Sequence, residues 1–394
     1  MTVVRGHWTP ADRAEELNRY VPFEVPPGAE GISVRLLYDR SDGAVIDVGL
    51  FDPDGFRGWS GSDKEGFVVT PRAATPSYLP GPLVPGEWRI LHGLHRVPPA
   101  GIDWTLEIEL GPAGVAPQPA PPPRPERPPR RDLPATDGRR WLAGDLHTHT
   151  IHSDGILTVA GLACLARERG LDFLAVTDHN TTSHHADLPA AAAHAGTILL
   201  PGFELTTDLG HANCIGGAGW VDFRLSADDW LRDADALGAL LSVNHPLLGD
   251  MGWRQPMTGR PPLAEVWHSS CGGRLREQLA WWQEWGAGIP IGGSDFHRYG
   301  RDGLPGQPTT WVEVEDEDVL GGVRAGRVAI SADPCGPVAI RHEDELVVLD
   351  GGGATLVGPD GEPRRIAGDR ERLAAGPGPW RLVADDGSTL AFSP

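Results

Sequence analysis

The chain has 394 residues, a formal net charge of −20 and a hydrophobic content of 40%. This length predicts two or three domains, each able to bury a sizeable core. The acidic balance argues against non-specific nucleic-acid binding, which needs a basic face to neutralise phosphates, so no nucleic-acid partner is expected. A small phosphorylated substrate is compatible with this charge, because bound metal ions reverse the local field.

The cellular location is predicted from the N-terminus and the cysteines. The first twenty residues are polar and lack the apolar region of a signal peptide, and no stretch approaches the length of a membrane span. The four cysteines lie far apart and form no Cys-x-x-Cys pair, which favours reduced thiols over a disulfide framework. We therefore expect a cytoplasmic protein that does not enter a membrane.

Residues 1–112 are predicted to form a β-sandwich. Apolar residues alternate with polar or small ones in two segments, around Ile32 to Tyr38 and Trp104 to Leu110, and this period of two is typical of strands buried on one face. Further short strands are separated by Gly- and Pro-rich turns, as in sandwiches. The histidines of this region are scattered, so surface or packing roles are expected for His7, His92 and His95.

Residues 113–138 are predicted to be a linker. The Pro-rich run at 117–125 lacks the amide donors that helices and sheets need and favours an extended polyproline II conformation. We interpret this segment as a semi-rigid spacer. A segment that docks a partner is the alternative.

Residues 139–335 alternate between predicted strands and helices. About seven such units predict a closed or nearly closed α/β barrel, a distorted (β/α)7-type fold. The strands are expected at 141–146, 171–177, 197–200, 239–243, 263–267, 289–292 and 310–314, and the helices at 158–169, 185–195, 226–237, 274–285 and 316–325. Residues 336–394 lack helical patterns and are predicted to form a small β appendage.

Eleven of the fifteen histidines lie between His147 and His297. Histidines and carboxylates follow the predicted strands at the positions where a barrel brings its strand ends to one rim. Residues two apart on an extended segment project from the same face, so His147 and His149 can reach one cation. The candidate ligands, in chain order, are His147, His149, Asp154, His179, Glu204, His211, His245, Asp295 and His297.

This set of ligands indicates more than one metal ion. Imidazole and carboxylate groups suit Zn²⁺, Mn²⁺ or Fe²⁺, and nine ligands are too many for one tetrahedral ion. A site with two or three divalent ions and a bridging carboxylate is therefore predicted. Any one of these histidines alone would more often be a packed residue. The other histidines of the region are interpreted as rim or surface residues, with His268 the best candidate for substrate contact; they are His152, His184, His185, His194 and His268.

The motifs closely resemble those of the PHP (polymerase and histidinol phosphatase) superfamily, and within it the CehA/McbA-type metallohydrolases. The resemblance covers residues 141–333, about half of the chain. It rests on Asp-Leu-His-Thr-His-Thr at 145–150, Ser-Asp-Gly at 153–155, Thr-Asp-His-Asn at 177–180, Gly-His-Ala-Asn at 210–213, Asn-His-Pro at 244–246, Gly-Ser-Asp-Phe-His at 293–297 and Gly-Arg-Val-Ala-Ile-Ser at 326–331. A β domain before the barrel also occurs in this branch.

The resemblance implies a role for each candidate ligand. His147, His149, Glu204 and Asp295 would hold a first metal. Glu204 would bridge to a second metal, which His211 and His245 also hold. Asp154, His179 and His297 would hold a third, and Asp178 would orient a ligand without binding metal. Of these residues, Glu204, Asp295 and His179 are the ones expected to be catalytic.

The expected function is hydrolysis of a small phosphate ester, such as a nucleotide or sugar phosphate. A hydroxide that bridges two of the metals would attack phosphorus in line, and an arginine would bind the phosphate, with Arg254, Arg298 and Arg301 as candidates. Hydrolysis of a carbamate or carboxylic ester at the same site is the alternative, since the CehA/McbA branch includes carbamate hydrolases. A further alternative is a non-catalytic binding or scaffold protein.

Overall fold

A computed structural model describes residues 1–286 and 288–394. The chain divides into two compact units. The first unit contains residues 1–120, 151–158 and 178–186, and the second contains residues 121–150, 159–177 and 187–394. The first unit therefore combines the N-terminal β region with two short segments that each contain one predicted metal ligand, Asp154 or His179. The predicted division of the chain at residues 112, 138 and 335 stays a prediction.

The first unit is built from eight strands and one short helix. Its strands form two four-stranded antiparallel sheets with the orders β1-β8-β3-β6 and β2-β7-β4-β5. The elements are β1 (Thr2–Trp8), α1 (Pro10–Glu15), β2 (Asn18–Val25), β3 (Ile32–Tyr38), β4 (Val45–Asp52), β5 (Gly55–Gly61), β6 (Gly66–Val69), β7 (Gly86–Arg96) and β8 (Ile102–Leu110).

Side chains from both sheets of the first unit form one hydrophobic core. Ile32, Val34 and Leu36 of β3 are all buried in it, as the alternation in the sequence predicts. Ile46 of β4 and Trp88 of β7 come from the other sheet and are fully buried in the same cluster. The apolar faces of both sheets are thereby removed from water, which is the main stabilising contribution to a unit of this kind.

Among the residues described, the second unit contains the remaining strands and five α-helices. Its elements are β9 (Arg140–Asp145), α2 (Val159–Glu168), β10 (Phe173–Val176), α3 (Leu188–Ala195), β11 (Ile198–Thr207), β12 (Gly210–Ile215), α4 (Ala227–Ala236), β13 (Leu240–Val243), β14 (Leu263–His268), α5 (Leu275–Trp285), β15 (Ile289–Gly293), β16 (Thr309–Val314), α6 (Val319–Arg324), β17 (Val328–Ser331), β18 (Val338–His342), β19 (Glu345–Leu349), β20 (Thr355–Val357), β21 (Pro363–Arg365), β22 (Arg370–Ala374), β23 (Trp380–Val383) and β24 (Thr389–Ser393). Helix ends follow local chemistry, since Ser226 caps the start of α4 and Gly196, with φ of 68°, ends α3.

The large sheet of the second unit is mixed, and the fold is of the mixed α/β type. Strands β9, β10 and β11 are parallel neighbours, as are β13, β14 and β15. Between these two groups β12 pairs antiparallel with both β11 and β13. The sequence predicted the helix at 226–237 as the next element after the strand at 197–200, and this is wrong, because β11 continues to Thr207 and turns at Asp208 and Leu209 directly into β12. The sequence did not indicate β12, whose residues other than Ile215 are small or polar and which is buried on both faces.

Two contacts join the ends of the series β9 to β15. Thr148, just after β9, forms a parallel bridge with Phe296, just after β15, and the His149 N–H donates to the Phe296 carbonyl at 3.0 Å. The second contact runs through β16, which pairs antiparallel with β9. The Thr310 hydroxyl of β16 accepts from the N–H of Gly292 in β15 and donates to the Gly292 carbonyl, both at 2.8 Å. The segments that follow β9 and β15 therefore lie side by side, and both contain candidate ligands.

The C-terminal strands extend the second unit. Strand β24 pairs with β17 and continues the large sheet through β23, β20 and β21, while β18, β19 and β22 form a separate three-stranded sheet. In the described part of the chain, none of the helices has the length and apolar character needed to cross a membrane.

The Pro-rich segment contains neither helix nor strand, as its composition predicts. From residue 121 onward it lies along the second unit and is held there by hydrogen bonds. Arg127 Nη2 contacts the Asp172 carboxylate at 2.8 Å, and Arg167 Nε donates to the Pro125 carbonyl at 2.9 Å. This half of the segment is therefore bound to its own chain, and its role as a spacer stays a prediction.

Candidate metal centre

Nine side chains of the second unit lie close together, each from a strand or from the segment just after one. We call this group the central cluster, and it consists of His147, His149, Glu204, His211, His245, Glu265, His268, Asp295 and His297. Within it, three overlapping sets place possible metal-ligating atoms within 4.8 Å of one another, namely His147 with His245 and Asp295, His147 with His149 and Glu204, and His147 with Glu265 and His268. The cluster thus brings together residues that are far apart in sequence.

His147 and His149 follow directly after β9 on an extended segment. Both are fully buried, and their ring centroids are 5.1 Å apart. The alternation of an extended chain turns both rings to one side, as the His-x-His spacing predicts. The Asp145 carboxylate fixes this segment, because it accepts the backbone N–H of His147 and that of Ser294, both at 3.1 Å.

Glu204 of β11 lies at the middle of the central cluster and is fully buried. Its Oε1 is 3.3 Å from His147 Nε2, 3.2 Å from His211 Nδ1 and 3.4 Å from His245 Nε2. Its Oε2 is 3.8 Å from His149 Nε2. One carboxylate therefore faces four imidazoles through its two oxygens, which is the arrangement needed for a ligand shared by neighbouring cations.

Asp295 approaches the same histidines from the segment after β15. Its Oδ1 is 3.1 Å from His147 Nε2 and 2.9 Å from His149 Nε2, and its Oδ2 is 3.1 Å from His268 Nε2. His297 stacks on His149 with ring centroids 4.1 Å apart. His297 Nδ1 donates to the Asp295 carbonyl at 2.7 Å, so the neutral ring has its lone pair on Nε2.

Two residues of the cluster have left-handed backbone conformations. The φ of His245 is 27° and that of Asp295 is 53°. Such backbone conformations are unfavourable for residues other than glycine, and they persist where neighbouring groups fix the backbone. Here the His245 N–H donates to Glu265 Oε2 at 2.7 Å, and the Asp295 N–H donates to the His147 carbonyl at 2.9 Å. Both residues are therefore fixed by their neighbours in the cluster.

Glu265 of β14 was not predicted as a site residue. It is 1% exposed, and its Oε1 lies 2.9 Å from His147 Nδ1. A carboxylate in this position fixes the tautomer and orientation of a histidine. The sequence offered only a weak signal, a glutamate in an otherwise apolar strand, Leu-Ala-Glu-Val-Trp-His at 263–268. An acidic residue in a fully buried strand needs a buried partner.

The electrostatics of the cluster favour positive charge at its centre. Burial acts to lower the pKa of His147, but the carboxylates of Asp295, Glu265 and Glu204 outweigh burial and raise this pKa well above its usual value. Burial acts to raise the pKa of Asp295, but His147 and His297 outweigh it and hold that pKa well below its usual value. The three carboxylates, of which Glu204 and Glu265 are buried and Asp295 is partly buried, thus require a compensating charge.

The donor set fits divalent cations. When His147 Nδ1 donates to Glu265, the neutral ring turns the lone pair of Nε2 toward oxygens of Glu204 and Asp295. Lone pairs that face each other repel unless a proton or a cation lies between them. Imidazole nitrogens and carboxylate oxygens are the ligands that Zn²⁺, Mn²⁺ and Fe²⁺ share, and the cluster contains no thiolate. The cluster can therefore hold metal ions in place of protons.

Two further predicted ligands lie in the first unit. His179 Nε2 is 3.4 Å from Asp154 Oδ1, and the two side chains are 15% and 35% exposed. Asp178, predicted to orient a ligand, is fully buried and accepts the Ser153 hydroxyl at 2.6 Å. Its other oxygen is 3.3 Å from His184 Nδ1. Asp178 thereby joins the segment that contains Asp154 to the segment that contains His179.

The residues predicted to contact substrate differ in their surroundings. His268 is 3% exposed and contacts Asp295, so it belongs to the central cluster. Arg254 donates to the main-chain carbonyls of Asp208 and Asp250, which holds its own loop. The side chain of Arg301 is 65% exposed, and Arg298 lies in the same loop, where its N–H donates to Asp302. Their roles toward a substrate stay predictions.

Comparison with known proteins gives short sequence matches. No protein-family model matches the chain. It is 42% identical over 65 residues to the 5′-3′ exoribonuclease Rnm of Escherichia coli, which covers 16% of this chain and 22% of that protein. It is 41% identical over 66 residues to a 3′,5′-nucleoside bisphosphate phosphatase of Chromobacterium violaceum, which covers 17% of this chain and 23% of that protein. The chain thus spans about a fifth of the length of these relatives.

A solved structure from Bacteroides vulgatus is also similar. It is described as a two-domain protein containing a predicted PHP-like metal-dependent phosphoesterase. The similarity covers 68% of this chain and 91% of the other, with 18% identity and a TM-score of 0.45. A TM-score below 0.5 describes a loose superposition, so this neighbour establishes neither the fold nor the activity of the chain.

Proposed function

We propose that this protein is a metal-dependent hydrolase, and more closely a phosphoesterase of the PHP type. The single observation that supports this most is Glu204, a fully buried carboxylate with four imidazole nitrogens within 3.8 Å. A core with a structural role alone would not gather so many titratable groups around one carboxylate, because burying them costs free energy unless they are paired or bind metal. The short matches to a phosphatase and an exoribonuclease support phosphate esters as the substrate class.

The proposed metal ligands divide into three groups. His147, His149, Glu204 and Asp295 hold one ion, and Glu204 is shared with a second ion that His211 and His245 also hold. Both groups are proposed from the contacts of the central cluster. A third ion held by Asp154, His179 and His297 is proposed from the sequence motifs alone. The expected ions are Zn²⁺, Mn²⁺ or Fe²⁺.

Bound divalent ions would supply Lewis-acid activation of water and of the phosphoryl oxygens. The chain's own residues hold and orient the groups around this chemistry. Asn244 Nδ2 donates to Glu204 Oε1 at 2.7 Å and fixes the central carboxylate. Glu265 fixes the His147 ring, and the left-handed backbone at Asp295 directs this carboxylate back toward the histidines. The site is thereby organised before a substrate binds, which reduces the reorganisation needed during the reaction.

The proposed substrate is a small phosphate ester, with nucleoside bisphosphates as the first compounds to test. The net charge of −20 repels long nucleic acids and so disfavours their binding. The match to an exoribonuclease makes short RNA the necessary comparison. Faster cleavage of a short oligoribonucleotide than of any mononucleotide would replace the small-molecule proposal.

The test combines metal analysis with a substrate screen. Purified protein is analysed for bound transition metals, loaded with Mn²⁺ or Zn²⁺, and assayed on aryl phosphates, nucleoside bisphosphates and aryl esters. The double variant His147→Ala and His149→Ala should lose bound metal and phosphate-ester turnover while remaining folded. The matched control is His194→Ala with His342→Ala, two histidines outside the central cluster. Cleavage of esters or carbamates without any phosphate ester would replace the phosphoesterase proposal with the alternative hydrolase.

The finer fold assignment is proposed with the function. The two antiparallel sheets of the first unit are proposed to be a β-sandwich, and residues 139–335 a distorted (β/α)7-type barrel of the PHP type in the CehA/McbA branch. The shared core of the two sheets supports the first statement. The Thr148–Phe296 bridge and the Thr310–Gly292 hydrogen bonds support the second.

A further inference from the structure

Ser77 lies in the loop between β6 and β7 and binds two distant segments of its unit. It is fully buried and has a φ of 98°, a conformation that side chains rarely adopt. Its hydroxyl donates to the His152 carbonyl at 2.7 Å, and its N–H donates to the Ser183 hydroxyl at 3.1 Å. Its carbonyl accepts the Thr181 hydroxyl at 2.8 Å. All three polar groups of Ser77 therefore bind residues 151–158 or 178–186.

Lys64 makes a second connection to the same region. It is the only lysine in the chain, and its side chain is 17% exposed. Its ammonium group donates to the Ser153 carbonyl at 2.7 Å and also pairs with Asp63 at 2.9 Å. A hydrogen bond from a partly buried charged donor is about twice as strong as one between neutral groups. Lys64 thus holds the main chain one residue before Asp154.

The two segments are also bonded to each other. His152 Nδ1 lies 2.8 Å from the Ser183 hydroxyl, and the Ser153 hydroxyl donates to Asp178 at 2.6 Å. Each segment presents one predicted metal ligand, Asp154 or His179, and these two side chains approach to 3.4 Å. Loops of the N-terminal β region therefore bind both of the segments that contain the ligand pair.

The surroundings of Ser77 are adapted to its strained conformation. Gly58 of β5 packs so closely that a Cβ there would lie 2.6 Å from the Ser77 carbonyl oxygen and 2.6 Å from Tyr78 Cα. Strained backbone is found where a local function requires a fixed position. This position is the one from which Ser77 reaches both segments.

We propose that the N-terminal β region is a clamp that positions Asp154 and His179 for metal binding, with Ser77 and Lys64 as positioning residues. The two sheets are then part of the metal-binding machinery, and they act through the main chain of residues 151–158 and 178–186. This inference rests on the proposed function, because it assigns Asp154 and His179 as ligands. It differs from that function in predicting that residues 64 and 77, which belong to no metal-binding motif, control metal affinity.

The test uses the full-length variants Ser77→Ala and Lys64→Met. Each should increase amide hydrogen exchange of residues 151–158 and 178–186 about tenfold or more, since local opening becomes easier. Each should also weaken the binding of one metal equivalent by about 10–100-fold, the range for residues that support metal ligands, while the other equivalents stay bound. Lys64→Arg, which keeps a charged donor, should restore binding in part. Ser77→Gly, which tolerates the φ of 98°, replaces Ser77→Ala if that variant does not fold.

Matched controls separate the clamp from a general loss of stability. Ser60→Ala removes another buried hydroxyl of the same unit, which is hydrogen-bonded to the Tyr78 hydroxyl. Arg40→Ala removes another cation that donates to a main-chain carbonyl, that of Ser62. Both should leave exchange in the two segments and metal affinity unchanged. Wild-type protein that binds metal while the Ser77 and Lys64 variants bind equally well would overturn the clamp alone. Wild-type protein without metal would overturn the proposed function and the clamp with it.

Discussion

The Glu265 carboxylate holds His147 and His245 at the same time. One oxygen lies 2.9 Å from His147 Nδ1, and the other accepts the His245 N–H at 2.7 Å. Because both oxygens are used, the carboxylate fixes the ring of one predicted ligand and the strained backbone of another. A residue outside the predicted ligand set therefore determines the geometry of two residues within it.

Glu265→Gln should weaken metal binding by about 10–100-fold, the range for carboxylates that orient a histidine ligand. An amide offers one oxygen acceptor, so one of the two N–H donors then faces an NH₂ group. Metal affinity measured by competition with a chelator would show the change. Glu313→Gln is the matched control, since Glu313 is also a buried strand carboxylate that accepts a backbone N–H, that of Thr136 at 2.7 Å. Equal affinity in the two variants would contradict an orienting role for Glu265.

Gly293→Ala should disturb the central cluster by steric contact. A Cβ at Gly293 would lie 2.4 Å from Glu265 Oε1 and 2.5 Å from His147 Cβ, so both groups must move. Ligand positions matter to within fractions of an ångström, and we expect metal affinity to fall about tenfold or more. Isothermal titration of the apoprotein with Zn²⁺ measures this fall. Gly368→Ala places a methyl group in open space and should bind as the wild type does; a Gly293→Ala protein with wild-type affinity would refute the prediction.

Thr310→Val should destabilise the contact between β15 and β16. The substitution keeps the shape of the side chain but removes both hydrogen bonds to Gly292. We expect the free energy of unfolding to fall by about 1–3 kcal/mol, measured by urea titration. Thr197→Val is the matched control, because this buried threonine loses only one hydrogen bond, that to the Ala163 carbonyl at 3.3 Å. A cost for Thr310→Val no larger than that for Thr197→Val would mean that this contact contributes little.

His92 should make the protein sensitive to acid. Burial lowers the pKa of His92 to about 4, and its Nδ1 accepts the Trp8 indole N–H at 3.2 Å. Between pH 6.5 and 4 the unfolded chain binds a proton that the folded state does not, so stability is lost as the pH falls through this range. The expected loss of unfolding free energy from this group is about 3 kcal/mol.

The variant His92→Asn isolates this effect, because its Oδ1 can accept the same N–H and does not titrate. Urea unfolding at pH 7 and pH 4.5, followed by tryptophan fluorescence, should show a smaller loss on acidification than in the wild type. The control is His95→Asn, an exposed histidine on the same strand, which should show the wild-type loss. An unchanged pH dependence in His92→Asn would rule out His92 as the acid-sensitive group.

The sequence indicated the local elements because they depend on nearby residues. Alternation predicted β3 and β8, and the bounds predicted for the helices of the second unit agree with the observed ones to within a few residues. The spacing of His147 and His149 predicted that both rings lie on one side. The mixed α/β character of the chain followed from the same patterns.

Only the tertiary structure decided which distant groups are neighbours. Strand β12 pairs antiparallel between β11 and β13, and no local pattern distinguished its buried small residues from a loop. Glu265 is a single acidic residue in a strand until the fold brings it to His147, 118 positions away. Ser77 belongs to no recognisable sequence motif. Its role depends on hydrogen bonds to His152 and Thr181, which lie 75 and 104 positions away in the chain. Local patterns determine elements because they follow from periodicity and sterics, whereas contacts across such distances depend on how the elements pack.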